Sequence, residues 1–393
     1  MIFPMQANQT HICIVGGGFG GLYSALRLSR LPWLSQALPK ITLIDQNDHF
    51  LFSPLLYEYI TGELESWEIA PSFTELLSQT NVQFIQAQVR GFDLATKQVN
   101  LCNEKPLDYD FLILSTGGRT PISSLPGVSE YALPFRTLSN AQRLQARLKD
   151  LLSSNLDKIR VAVIGGGYSG VELACKVADR LGERGRIRII ERSDTILGSS
   201  AQFNRQAAER ALTKKSIYVD TSTSIESLTS NTITLINRDQ RDVLPVELVL
   251  WTVGTDVGEM ISSLDLSKTE QGLLKVNEFL QVEQEKTIFA LGDIASFREN
   301  LPKTAQVAIQ QADFCAWNIW ATINNKPLLP FRYMALGEML SLGEDEATIS
   351  GLGINLEGTL GYLIRRLVYL YRLPTLKHQM SVALHQLTRP LLP

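Results

Sequence analysis

Two glycine fingerprints, Gly16-Gly17-Gly18-Phe19-Gly20-Gly21 and Gly165-Gly166-Gly167-Tyr168-Ser169-Gly170, each follow a short apolar run. One G-x-G-x-x-G also occurs in ordinary turns, but its repetition in the same context predicts two dinucleotide sites and electron transfer between them. Ile12-Cys13-Ile14-Val15 and Val161-Ala162-Val163-Ile164 are uninterrupted apolar runs, the pattern of parallel strands buried on both faces. In each loop the first glycine, Gly16 or Gly165, permits a tight turn. The second, Gly18 or Gly167, lets a pyrophosphate approach the backbone, and the third, Gly21 or Gly170, lets the helix pack on its strand. The pyrophosphate then meets free N–H groups at a helix start, where the macrodipole favours anions.

The segments downstream repeat in register. Ile41-Thr42-Leu43-Ile44-Asp45 and Ile187-Arg188-Ile189-Ile190-Glu191 each end in an acid, near the ~20-residue interval of a ribose-binding carboxylate. Either acid alone also reads as a solvated strand end. Phe111-Leu112-Ile113-Leu114-Ser115-Thr116-Gly117-Gly118 and Leu248-Val249-Leu250-Trp251-Thr252-Val253-Gly254-Thr255 are buried strands running into small residues. Thr287-Ile288-Phe289-Ala290-Leu291-Gly292-Asp293 is a further strand ending in Gly-Asp. Doubly wound folds bind ligands at such carboxyl edges, which singles out Thr116, Gly117, Gly254 and Asp293. Asp293 suits ribityl hydroxyls or the cap of a following helix equally well. The fold class is therefore α/β, with two Rossmann-like dinucleotide-binding domains. The boundaries fall at 1–120 with 258–325 for a discontinuous first domain, 121–257 for the second, and 326–393 for a C-terminal part.

Composition narrows the class. A chain of 393 residues, 45% hydrophobic and 20% charged, sustains two to three cores. A net charge of −3 shows no nucleic-acid footprint. No apolar run approaches the roughly 18 residues of a membrane span, and Met1–Thr10 lacks the pattern of a signal peptide. The four cysteines, Cys13, Cys102, Cys175 and Cys315, form no C-x-x-C or C-x4-C pair, and no metal site is expected. That suits a reducing compartment and excludes dithiol chemistry of the flavoprotein disulfide reductase kind, which needs two neighbouring thiols.

The tail is distinct in charge. No acid follows Glu357, whereas Arg365, Arg366, Arg372, Lys377 and Arg389 are all basic. Leu360, Leu363, Ile364, Leu367, Val368 and Tyr371 share one helical face; Pro374 interrupts, and Leu376, Met380, Ala383, Leu384 and Leu387 repeat the pattern. Two short amphipathic helices with basic flanks predict a segment on an anionic membrane surface. The same stripes would also pack on the protein body or on a second subunit.

The order GGGFGG, strand-end acid, STGG, GGGYSG, WTVGT and ALGD resembles the two-dinucleotide-binding flavoproteins, in which the first motif holds FAD and an inserted unit holds NADH or NADPH. Within them, the segments HFLFSPLLY at 49–57, GGGYSGVE at 165–172 and TAQVAIQQ at 304–311, with Leu336-Gly337 and Leu342-Gly343, resemble the type II NADH dehydrogenases over nearly the whole chain. The block GELESWEIAP at 62–71 is most similar to the cyanobacterial and plastid branch.

This resemblance implies a non-pumping NAD(P)H:quinone oxidoreductase, in which a hydride passes from nicotinamide to flavin and two electrons then pass to a membrane quinone. The acceptor would be a demethylated naphthoquinone of phylloquinone synthesis, or, in a respiratory role, plastoquinone or menaquinone. The resemblance puts Gly16, Gly18, Phe19, Gly20, Gly21, Asp45, Thr116, Gly117, Asp293, Gln306 and Val307 at FAD, and Gly165, Gly167, Tyr168, Gly170, Glu172, Glu191 and Gly254 at NAD(P)H. Glu172 would contact the nicotinamide end, and Gln306 and Gln310 would lie beside the flavin ring at the quinone tunnel. By themselves, Glu172 reads as an acid stabilising a helix dipole and the glutamines as a polar helix face. Glu191 should accept from the 2′-hydroxyl of NADH, while Arg192 beside it could offset a 2′-phosphate, so NADH use with NADPH tolerated is expected. The implied location is peripheral, on the cytoplasmic face of a thylakoid or plasma membrane, with a homodimer through the tail left open. Three rival classes remain: a reductase of small iron–sulfur proteins, which needs no amphipathic tail; a sulfide:quinone oxidoreductase, which needs cysteines flanking the flavin; and a redox sensor that binds both dinucleotides.

Overall fold

The computed structural model describes residues 9–34, 38–121, 124–298 and 301–388. Arg389 of the basic tail lies outside them. The chain forms two compact units. The first comprises the described residues of Met1–Leu51 with Ala70–Arg119 and Thr255–Met334, and the second comprises Phe52–Ile69, Thr120–Gly254 and the described part of Ala335–Pro393. This division differs from the sequence boundaries, which put 52–69 in the first domain and set 326–393 apart. The physical reason is packing. The helix Leu56–Thr61 lies against the helices Leu138–Ser153 and Tyr168–Leu181, and the C-terminal strand Ala347–Gly351 lies against the helix Gln202–Lys214, all within the second unit.

The first unit is built on a parallel sheet with strands in the order Ile288–Ala290, Phe111–Leu114, His11–Val15, Lys40–Asp45 and Val82–Gln86. Ile12, Cys13, Ile14, Leu112 and Ile113 are fully buried, as apolar strands covered on both faces must be. The helices Phe19–Ser29 and Ala305–Ile323 pack together in this unit.

The second unit repeats the plan. Its parallel sheet runs Tyr218–Asp220, Gly185–Ile190, Ile159–Ile164, Leu248–Trp251 and Ala132–Pro134. In both sheets the fingerprint strand is central, flanked by the acid-bearing strand on one side and the strand that ends in small residues on the other. Each fingerprint loop therefore opens at a carboxyl edge between two neighbours that also carry candidate ligand groups.

The second unit ends in an antiparallel sheet of Glu338–Ser341, Ala347–Gly351 and Ile354–Glu357, followed by the helices Gly358–Arg372 and Leu376–Thr388. The break between the helices falls at Leu373, whose ψ of 149° is extended, because the following proline disfavours the helical region. Leu360, Leu363, Leu367 and Tyr371 on the first tail helix, and Leu376, Met380, Leu384 and Leu387 on the second, are between 51% and 76% exposed. Ile364, Val368 and Ala383 at the stripe margins are partly covered. Among the described residues no helix is long and apolar enough to cross a membrane. The basic flanks need one correction: Arg365, read from sequence as part of a flank on a membrane surface, is only 2% exposed. It shares a face with Gly361 and Tyr362, one turn away and also buried, and that face turns inward.

Candidate functional site

The two fingerprint loops have the same construction. Gly16 and Gly165 have φ of +99° and +106°, a left-handed region that side chains rarely adopt. A Cβ on Gly21 would lie 1.8 Å from the Gly16 carbonyl oxygen, and one on Gly170 would lie 1.8 Å from that of Gly165. Helix and turn are thus in direct backbone contact. At Gly18 and Gly167 a Cβ would meet nothing within 4 Å, and both residues are exposed at the N-caps of their helices. The open side of each loop is therefore at a helix start, where the first-turn N–H groups have no intrahelical acceptor, which is the cradle a pyrophosphate requires.

The acids are oriented alike. Asp45 accepts the Gly17 N–H at 2.6 Å through one oxygen and the Asn47 N–H at 2.8 Å through the other. Glu191 accepts the Gly166 N–H at 2.6 Å and the Ser193 N–H at 2.7 Å in the same manner. Burial pushes the Glu191 carboxyl up, but the N–H groups of Ser193 and Gly166 outweigh it and hold the carboxyl below the usual range. Both acids are thus aimed across the mouth of their loop. A second duplication was not recognised in the sequence. The Ser115 hydroxyl donates to the Val15 and Gly16 carbonyls at 3.1 and 2.9 Å, and the Thr252 hydroxyl donates to the Ile164 carbonyl at 2.7 Å. Each clasps the turn to the neighbouring strand, and the signal for it was a hydroxyl residue at equivalent places in STGG and WTVGT.

In the first unit, Gly16, Gly18, Phe19, Gly20, Gly21, Asp45, Thr116 and Gly117 gather at the carboxyl edge of the sheet. Asp293 lies in the single turn Gly292–Ile294 that follows the edge strand. Buried Gln311 fixes that turn by accepting the Gly292 N–H at 2.7 Å. Beside it lies a cavity of about 170 Å³ lined by Gly292, Phe297, Thr304, Val307 and Gln311. The start of the helix Ala305–Ile323 faces this space, capped by Thr304, whose hydroxyl accepts the Val307 N–H. Gln306 accepts the Tyr333 hydroxyl at 2.7 Å, and Gln310 both accepts from the Met334 N–H and donates to the Met334 carbonyl at 2.9 Å. The two glutamines share a helix face and hold one segment, 333–334, against it.

In the second unit, Gly165, Gly167, Tyr168, Gly170, Glu191 and Gly254 lie at the carboxyl edge of the second sheet, and Glu172 is in the second turn of the helix Tyr168–Leu181. Glu172 is 7% exposed, accepts the Ser341 N–H at 2.8 Å and lies 3.6 Å from the Arg365 guanidinium. Arg365 pairs with buried Glu58, donates to the Pro54 carbonyl at 3.1 Å and stacks 4.7 Å from the centre of the Tyr369 ring. Burial pushes Glu172 up to about 7, although Arg365 and the Ser341 N–H pull the other way. One turn further on, fully buried Lys176 pairs with Glu63, which also accepts from the Tyr362 hydroxyl. Two acids sharing one arginine out of water is a costly arrangement for packing alone. A carboxyl perturbed towards neutrality, next to a dinucleotide loop, makes this cluster a candidate functional site. Sequence pattern gives no reason to single out Glu58 or Lys176, and marks Arg365 only as one of the tail's basic residues, because nothing local distinguishes a buried charge from a solvated one.

Among the described residues, no group of three or more histidine, cysteine or acidic side chains could hold a metal ion. The cysteines are unpaired. Burial pushes the Cys13 and Cys175 thiols up to about 12, so neither is a thiolate at neutral pH.

Residues 10–312 match the pyridine nucleotide-disulphide oxidoreductase family. The chain is 54% identical to the demethylphylloquinone reductase NdbB of Synechocystis sp., with 98% of each chain covered. It is 38% identical to the alternative NAD(P)H-ubiquinone oxidoreductase C1 of Arabidopsis thaliana, covering 96% of this chain and 80% of that one. Among solved structures, NDH2 from Plasmodium falciparum in complex with NADH matches with a TM-score of 0.87 over 97% of this chain and 98% of that one, at 19% identity. At that identity the match speaks for a shared fold alone.

Proposed function

Because the chain belongs to the pyridine nucleotide-disulphide oxidoreductase family, and within it to the type II NAD(P)H:quinone oxidoreductases, we propose that its acceptor is a demethylated naphthoquinone of the phylloquinone type, taken from a membrane surface. The observation that carries this choice of acceptor is the 54% identity to a demethylphylloquinone reductase over 98% of both chains. FAD, when bound, supplies the two-electron chemistry that joins the nicotinamide donor to the quinone.

The protein's own part is to bind, orient and adjust charge. The open edge over Gly18, with the helix start behind it and Asp45 across it, would hold the FAD pyrophosphate and ribose. Asp293 and the cavity beside Val307 would take the ribityl and ring end. The matching edge over Gly167 would hold NAD(P)H, with Glu191 presenting fixed oxygens to the ribose 2′-hydroxyl and repelling a 2′-phosphate. Exposed Arg192 next to it tempers that repulsion. Glu172, with its carboxyl near neutrality, can hold or release a proton as positive charge develops on a nicotinamide. Gln306 and Gln310, already oriented by Tyr333 and Met334, would present neutral amides to a quinone carbonyl.

The exposed rows of the two tail helices suit the interfacial layer of a bilayer, and no acid after Glu357 opposes an anionic surface. With Arg365 committed to Glu58 and buried, one of the tail's basic residues is withdrawn from the surface. Attachment therefore rests more on apolar area than on charge. We place the protein peripherally on the cytoplasmic face of its membrane, with lipid rather than a second subunit covering the rows.

The test is a steady-state comparison of quinones with NADH and with NADPH. A naphthoquinone lacking the ring methyl should exceed its methylated counterpart and plastoquinone in kcat/KM by about tenfold or more, the scale on which one methyl is read in a pocket. NADH should exceed NADPH. A preference for plastoquinone or menaquinone would overturn the choice of acceptor in favour of a respiratory role.

A further inference from the structure

The hairpin that precedes the tail helices breaks a local rule. Its strands, Ala347–Gly351 and Ile354–Glu357, pair Gly351 with Ile354 and are joined by only two residues, Leu352 and Gly353. Both turn residues have positive φ, +50° and +79°. Two-residue hairpin turns of this hand are the province of Asn-Gly, Asp-Gly and Gly-Gly, because only such residues enter the left-handed region at little cost. A leucine there is strained, and no packing compensates: Leu352 is 76% exposed and Ile354 is 56% exposed. Residues held against their preference with no structural gain point to a role outside the folded chain.

The surroundings indicate the partner. From Ala347 to Leu356 there is no charged residue, while Asp345, Glu346 and Glu357 stand at the base of the hairpin. The tip is thus a neutral, apolar projection. Two side chains, Leu352 on the turn and Ile354 at the strand start beside it, present far less than the roughly 800 Å² that each side of a stable protein interface buries. A lipid interface makes no such demand, since it has no shape to match. The strand Ile354–Glu357 runs straight into the helix Gly358–Arg372, whose exposed apolar row begins at Leu360.

We propose that the tip formed by Leu352 and Ile354 is a second lipid-contacting element, entering the membrane interface alongside the two tail helices. This rests on the reading of those helices as membrane-bound, and adds to it an anchor outside them.

The test uses the full-length, FAD-loaded protein. Cys102 is replaced by serine so that the three buried cysteines alone remain, and an environment-sensitive fluorophore is attached at Leu352→Cys or at Leu367→Cys. Vesicles of phosphatidylcholine and phosphatidylglycerol are then added. Both probes should shift to the blue and brighten. If the probe at 367 responds and that at 352 does not, the hairpin inference is overturned while the tail reading stands. If neither responds, both fall. Independently, Leu352→Asn installs the residue this turn prefers, so melting temperature and the rate with a short-chain, water-soluble quinone should hold or rise while vesicle partitioning falls about tenfold, the scale of one leucine removed from an apolar layer. Unchanged partitioning in Leu352→Asn would also overturn the inference.

Discussion

Alanine at Gly21 should yield a protein that purifies without flavin, whereas alanine at Gly170 should yield one that keeps its flavin and is no longer reduced by NADH at micromolar concentrations. Both substitutions are chemically identical, and both put a Cβ 1.8 Å from the carbonyl of the first glycine in the loop. Backbone on backbone cannot yield as a flexible side chain can, so the helix start must withdraw from the turn. Ser115 Oγ at 2.6 Å and Thr252 Oγ1 at 3.1 Å close the other sides of these positions. The N–H groups that face a pyrophosphate then no longer converge, and the loss falls on whichever dinucleotide that loop serves. The absorbance spectrum of the purified variants, and its bleaching by NADH under anaerobic conditions, separates the two. Loss of flavin in Gly170→Ala with retention in Gly21→Ala would reverse the assignment of the loops.

Replacing Arg365 by leucine should lower stability by about 3–5 kcal/mol near pH 8, the cost of removing one partner from a buried ion pair. Glu58 and Glu172 are 4% and 7% exposed, and the guanidinium is the cation that reaches both. Lowering the pH relieves the variant, because a protonated acid needs no cation. The sign for the parent follows from Glu172 itself. Its pKa is raised from 4.5 to about 7, so the folded state holds a proton that the unfolded state has released between those values. That stabilisation is complete below pH 4.5 and is lost as pH rises through 7. Urea unfolding at pH 5 and pH 8 should therefore show a modest decline for the parent, a steeper one for Arg365→Leu, and a flatter one for Glu172→Gln. Equal denaturation midpoints for Arg365→Leu and the parent at pH 8 would show that the cluster is not the buried charge site described above.

What the sequence makes legible is the local, repeated device. A strand, a glycine loop, a helix and an acid about 20 residues on are specified by short-range pattern, and Asp45 and Glu191 take matching positions in the two sheets. The break at Pro374 and the exposed rows on either side of it are legible for the same reason, since helical period and proline chemistry are local. Non-local partnership is not. Arg365 meets Glu58 from 307 residues away, and no periodicity tells whether a helix turns its basic residue to water or to a buried acid. Segment 52–69 leaves the first unit and joins the second for a similar reason. Its apolar pattern states that it is buried, and not against what. The hairpin tip lacks the Asn-Gly signal that would have announced it, and the unusual residue becomes visible only once its backbone angle is known.

The most direct test of the account is anaerobic single turnover of the purified protein. NADH should bleach the bound flavin, and a demethylated naphthoquinone added afterwards should restore the oxidised spectrum with stoichiometric formation of the quinol. A chain that carries no flavin, or a reduced flavin that no quinone reoxidises, would contradict it.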